Sequence, residues 1–185
     1  MDIRSILEYH GAFTASGLDK IEALVTLKKF SKDELLHSSG KASKEMFFIK
    51  SGVIRTFFYD ESGTDATIWF YQPGDIVTHW ESFFTGSPCE DSIQATEDTE
   101  VYVLSRKDYY AYVKEDHSFA LLMLRLLEVQ CAGIERWAKE QMNKSAQEKY
   151  EMLQANLPSI VHKLKLGHVA SFLGINQSTL SRLRK

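Results

Sequence analysis

Five glycines, Gly40, Gly52, Gly63, Gly74 and Gly86, recur at intervals of 12, 11, 11 and 12 residues. Between them lie short aromatic and β-branched segments, "MFFIKSG", "VIRTFFYD" and "TIWFYQPGD", followed by "TEVYVLS". Aromatic and β-branched residues fit a pleated, half-buried surface, and turn strings such as "ESGT" and "QPGD" separate the segments. Short strands punctuated at that spacing predict a jelly-roll-like antiparallel β-roll running to about Ser105. A helix over Ser16 to Leu27, with Leu18, Ile21, Leu24 and Val25 at helical spacing, precedes it. The string "SRKDYYAYVKED" predicts a short helix closing the roll.

The chain then changes period. From about Ser118 to Met142 it reads as one long helix, a rod of ~37 Å. Its apolar residues are too many for one stripe, so two faces need cover. One face is expected on the roll and the other on a second copy, with Leu122, Leu126, Val129 and Gly133 as the dimer seam. "SAQE", Ser145 to Glu148, is a capping-box string that opens a further helix. That helix should stop near Pro158, because the residue before proline resists the helical conformation.

The formal charge of −3 conceals a segregation. Asn143 to Lys185 carries seven Lys and Arg against two Glu, a net of +5, which leaves −8 on residues 1 to 142. A basic tail on an acidic body points to a polyanionic partner for the tail. Cys89 and Cys131 are too few and too distant for a disulfide framework. No signal-peptide pattern opens the chain, and no unbroken run nears the ~18 apolar residues that span a bilayer. The expectation is a cytoplasmic protein with no membrane partner.

The last twenty residues, "LGHVASFLGINQSTLSRLRK", have the spacing of a helix-turn-helix. Ala170 sits where two helices nearly touch, and Gly174 where the turn needs a left-handed backbone. Val169, Leu173, Ile175, Leu180 and Leu183 fill the packing positions, and Asn176 is a natural cap for the second helix. The exposed face of that helix is then Gln177, Ser178, Ser181, Arg182 and Lys185, flanked by Thr179 and Arg184. Arginine forks onto guanine, glutamine onto adenine, and hydroxyls reach phosphates or bases. His168, Lys163 and Lys165 are positioned to hold the phosphate backbone.

"HVASFLGINQSTLSRLRK" resembles the DNA-reading motif of the Crp–Fnr transcription regulators, and the likeness extends over the "QEKYEMLQANLP" helix, the long helix and the glycine-spaced roll. The resemblance implies an α+β chain in three parts. These are a cyclic-nucleotide-binding-like β-roll sensor domain over residues 1–116, a long dimerisation helix over 117–143 and a helix-turn-helix domain over 144–185. It also implies a homodimer acting on double-stranded DNA and on RNA polymerase, with no catalysis and no bound metal. By similarity Gln177, Ser178 and Arg182 read bases, while Asn176 and Thr179 lie near phosphates.

Two departures from the family pattern stand out. The family usually continues into a β-hairpin wing, whereas this chain stops at Lys185, so fewer phosphate contacts are expected. Members that bind cyclic AMP carry a Gly-Glu pair and, ten residues on, an Arg-Ser/Thr-Ala string. Here those positions hold Thr78–His79 and Cys89–Glu90–Asp91. A phosphate would meet two carboxylates in place of a guanidinium. The roll is therefore expected to sense another small molecule, around Thr78, His79, Trp80, Cys89 and Glu90, or to have lost its ligand. Four cysteines would be needed for an iron–sulfur sensor. The alternative reading is a cupin-like small-molecule or metal-binding jelly roll without DNA binding, in which a metal would pair His79 with Glu81 and His37; a separate redox reading of the roll would make Cys89 a sensing thiol.

Overall fold

A computed structural model describes residues 1–11, 13–158 and 161–184. Two helices open the chain, α1 (Ile3–Tyr9) and α2 (Ala15–Leu24), each started by a side-chain cap, Asp2 to Ser5 N–H and Thr14 to Gly17 N–H. Helix α1 is an element the sequence patterns did not reveal. The helix expected to reach Leu27 ends early, because Thr26 and Leu27 begin β1 (Thr26–Phe30).

The roll follows as β2 (Leu35–His37), β3 (Glu45–Ser51), β4 (Ile54–Tyr59), β5 (Asp65–Tyr71) and β6 (Ile76–Val77), then a short helix α3 (Trp80–Thr85), β7 (Ser92–Ala95) and β8 (Thr99–Ser105). These form two four-stranded antiparallel sheets, ordered β1-β8-β3-β6 and β2-β7-β4-β5. Inward-facing Phe47, Ile49, Ile54, Ile93, Val101 and their neighbours fill the space between the sheets. Glycine spacing sets this pattern because the turns need left-handed backbone. Gly52 has φ +88°, and a Cβ there would stand 2.7 Å from Thr99 Cα.

Helix α4 (Arg106–Glu115) closes the roll as expected, and α5 (His117–Asn143) is the long helix, capped by Asp116 onto Phe119 N–H. The N-terminal half of α5 buries Phe119, Leu122, Met123 and Leu126 against Ile6, Leu7, Ile21 and Phe48. By length and mean hydropathy alone the stretch His117–Glu140 of α5 is apolar enough to cross a membrane, although Arg125 and Glu128 interrupt its apolar run. Its buried stripe is instead part of the core shared with α1, α2 and the roll.

Ser145 and Glu148 form the expected reciprocal capping box at the start of α6 (Ala146–Asn156), which ends two residues before Pro158. The chain finishes with α7 (Leu166–Phe172) and α8 (Gln177–Leu183). Their core is Tyr150, Leu153, Leu157, Val161, Val169, Leu173 and Leu180, and it is continuous with Val53 and Phe70 of the roll.

Candidate nucleic-acid interface and the altered nucleotide cradle

The turn between α7 and α8 rests on two residues. Gly174 takes φ +67°, and Asn176 accepts the Thr179 backbone N–H at 2.8 Å on its side-chain oxygen, starting α8. The Ile175 N–H closes the turn onto Ala170 O at 3.0 Å, and Ala170 is buried, as a close helix crossing demands. Leu180 is fully buried beneath α8. The opposite face presents Gln177, Ser178, Ser181 and Arg182 to solvent. Thr179 is half-buried and receives a contact from Arg182 Nη2 at 3.3 Å, while Ser178 donates to Asn176 Oδ1 at 2.7 Å. Among the described residues the face is a short polar ridge with one forked cation and no carboxylate.

Three positions named with this face behave differently. Arg184 turns inward: its Nη2 donates to Val161 O at 3.2 Å and its guanidinium lies 5.9 Å from the Tyr150 ring centre. That arginine ties α8 to its own domain. His168 is half-buried, with Nδ1 enclosed and unpartnered. Burial, then the neighbouring Arg55, drives its pKa down to about 4, so a cationic phosphate clamp is not what this imidazole offers. Lys165 is paired with Asp33 of the roll at 2.7 Å. Lys163 stands exposed. Lys185 lies outside the described residues.

Helix α7 docks on the roll along the free edge of β5. The Thr67 N–H, which no neighbouring strand claims, donates to Ser171 Oγ at 3.0 Å, and Phe172 packs edge-on against Trp69 and Phe70 at 5.5 and 5.7 Å. Covering an edge in this way removes an unpaired strand border. Beneath the dock, Arg55 is 2% exposed and held by Asp65 at 2.5 and 2.6 Å, Gln94 at 2.9 Å and Thr67 at 3.0 Å. Its guanidinium also stacks on Phe57 at 4.0 Å. A buried arginine is retained only where its donors are met like this.

The seam expected on α5 is corrected in part. Leu122 and Leu126 are 2% and 3% exposed and belong to the protomer's own core, so they cannot meet a second copy. Gly133 faces a cavity beside the roll, and Val129 is half-buried on the same side of the helix. A different line runs along α5, Ala120, Leu124, Leu127, Cys131, Ile134 and Ala138, spaced 4, 3, 4, 3 and 4, with Ala120, Leu127 and Ala138 half-buried and Ile134 also bordering that cavity. Leu124 and Ile134 are 54% and 47% exposed, and Cys131 is exposed. Alternating steps of four and three are the coiled-coil repeat, a signal present in the sequence but overlooked there.

The positions that would cradle a cyclic phosphate are occupied by one another. Thr78 is buried and donates to Glu45 O at 2.8 Å. His79 caps α3 by accepting the Ser82 N–H on Nδ1, which leaves Nε2 to donate to Asp91 Oδ2 at 3.0 Å. Glu90 is exposed, and Trp80 opens α3 stacked on Phe84. A phosphate brought here would meet the Asp91 and Glu90 carboxylates, so the residues present do not fit a cyclic nucleotide. Cys89 Sγ lies 3.1 Å from His37 Nε2, but burial pushes the thiol pKa up and the His37 pKa down. Both groups are thus held neutral, which is wrong for a sensing thiolate. Glu81 is exposed on the first turn of α3, and among the described residues no three His, Cys, Asp or Glu gather as metal ligands.

Comparison with known proteins agrees with this architecture. Residues 27–116 match the family described as the cyclic nucleotide-binding domain. The cyclic AMP receptor protein of Thermus thermophilus is 24% identical over 149 residues, 78% of this chain and 68% of that protein. FixK2 of Bradyrhizobium japonicum superposes with a TM-score of 0.70 at 19% identity, covering 86% of this chain and 82% of that one. The c-di-GMP-responsive regulator CLP of Xanthomonas campestris superposes with a TM-score of 0.69 at 10% identity, covering 92% and 89%. Over residues 27–116 the chain is thus similar to cyclic nucleotide-binding domains, and as a whole it shares the fold of these regulators.

Proposed function

We propose that this chain is a homodimeric, sequence-specific DNA-binding transcription regulator acting in the cytoplasm, without catalytic activity. Helix α8 enters the major groove with Gln177, Ser178, Ser181 and Arg182 on base edges, while Lys163 and the basic C-terminal segment hold phosphates. Two copies pair along Ala120, Leu124, Leu127, Cys131, Ile134 and Ala138, which sets the two reading helices ~34 Å apart on a palindromic site. The roll senses a molecule other than a cyclic nucleotide, since its phosphate cradle is filled by His79 and Asp91.

The observation that carries the reading is the exposed, carboxylate-free face of α8 on the basic end of an otherwise acidic chain. Binding to a random duplex, measured against salt, tests it. Log affinity should fall against log salt by roughly 0.9 per neutralised phosphate, and Gln177→Ala/Arg182→Ala should weaken binding and flatten the slope. Salt-insensitive binding, or a double variant indistinguishable from the parent, would defeat the proposal.

A further inference from the structure

A cavity of about 380 Å³ lies where the roll, α5, α6 and α7 meet. That volume is within the range of small-molecule sites. Its walls are Trp69 and Trp80 from the roll, Gly133 and Trp137 from α5, Met152 from α6 and Phe172 from α7. These include all three tryptophans of the chain. Trp69 stands edge-on to both Trp137, at 6.2 Å, and Phe172, at 5.5 Å. The indole N–H of Trp137 is buried with no acceptor, an orphan donor.

The charges at this cavity favour one ligand class. Asp75 and Glu140 line it, against the single cation Lys149, and no arginine stands among its described lining residues. The Asp75 carboxylate is met by one backbone donor, the Gln72 N–H at 2.8 Å, and burial pushes its pKa up. A carboxylate short of partners in an apolar wall attracts a cation, and aromatic faces add to that attraction. An anion would be repelled.

We propose that this cavity binds a phosphate-free aromatic amine, its ring against the tryptophans, its ammonium near Asp75 and an oxygen accepting the Trp137 N–H. The proposal rests on reading the roll as an effector-sensing unit and names the effector's chemistry. Occupancy would be felt by the DNA-reading helices directly, because Met152 and Phe172 are walls of the site. A ligand shifts an equilibrium only through unequal contacts with the two arrangements, and these walls supply them.

Tyramine and serotonin, each with a hydroxyl to meet the Trp137 N–H, test the site, with 4-hydroxyphenylacetate and 5-hydroxyindole-3-acetate as analogues in which a carboxylate replaces the aminomethyl group. Isothermal titration calorimetry on the full chain should give saturable binding of at least one amine, at least tenfold tighter than its acid. Tyramine should also perturb the tryptophan emission. Gly133→Leu should abolish binding while the fold persists, because a Cβ at Gly133 meets no atom within 4 Å and leucine is the better helix former. Asp75→Asn keeps an acceptor for Gln72 and should erase the preference for amine over acid. No saturable amine binding, amines no tighter than acids, or undiminished binding by Gly133→Leu each overturn the proposal. Duplex affinity measured in parallel separates the two claims. Amine binding without duplex binding leaves the site standing and removes the regulator, whereas duplex binding without amine binding removes the site alone.

Discussion

Acidification should loosen the contact between the DNA-reading unit and the roll through His168. The imidazole is half-buried on α7, its Nδ1 enclosed; burial and then the cations Arg55 and Lys165 oppose its protonation, while Asp65 and Asp33 act the other way. The unfolded chain protonates this ring as the pH falls through 6.5, but the folded chain does so only near about 4. Between those values the unfolded state holds the extra proton, so stability is complete above 6.5 and drains away as the pH falls towards 4. The full separation corresponds to a ceiling of about 3 kcal/mol. Water reaches half of the ring and screens the charge, which leaves about 1–2 kcal/mol. Urea midpoints measured for the parent and for His168→Gln at both ends of that window isolate this residue from the carboxylates that also titrate. The parent should lose the additional 1–2 kcal/mol, roughly, and the variant should not. Equal losses in the two proteins would mean that the cost lies at other titrating groups and not at His168.

Asp65→Ala strips the nearly buried Arg55 of its carboxylate and should cost about 2–3 kcal/mol, less than a fully buried pair because Asp65 is itself partly exposed. In the same urea series Asp33→Ala, which breaks the exposed pair with Lys165, should cost under about 1 kcal/mol. The two faces of α5 should separate by phenotype. Leu122→Ala should lose about 2–5 kcal/mol of stability, whereas Leu124→Glu should keep its thermal midpoint per protomer and sediment as a monomer. Cys131, at a seam position, should form a covalent dimer under mild oxidant, because paired seam Cα atoms fall within disulfide reach. Cys131→Ser should abolish that band and Cys89→Ser, buried beside His37, should leave it.

Local chemistry made much of this molecule legible. The capping box at Ser145, the left-handed turn at Gly174 and the Asn176 cap are decided within a few residues, and sequence spacing located each. The β-roll was legible because its turns need glycine at close to fixed intervals. What failed depended on packing between distant segments. Val25 to Leu27 continue the helical period of α2, yet pairing with β8 draws Thr26 and Leu27 into a strand. Helix α5 is apolar on two faces, and only the positions of α1 and α2, which supply Ile6, Leu7 and Ile21, decide which face lies inward. His168 looked like a free cation because nothing local reveals that α7 lies along the edge of β5. The changed chemistry of the nucleotide cradle was legible at Cys89, Glu90 and Asp91. Its closure by the His79–Asp91 contact needed three dimensions.

Selection of bound duplexes from a random pool, followed by footprinting, bears most directly on the claim that paired copies of α8 read DNA. The enriched site should consist of two inverted half-sites, centred about 10–10.5 base pairs apart or a multiple of that. Enrichment should vanish with Gln177→Ala/Arg182→Ala and protection should shrink with Leu124→Glu. A pool that stays random, or a single half-site protected equally by the Leu124→Glu monomer, would contradict it.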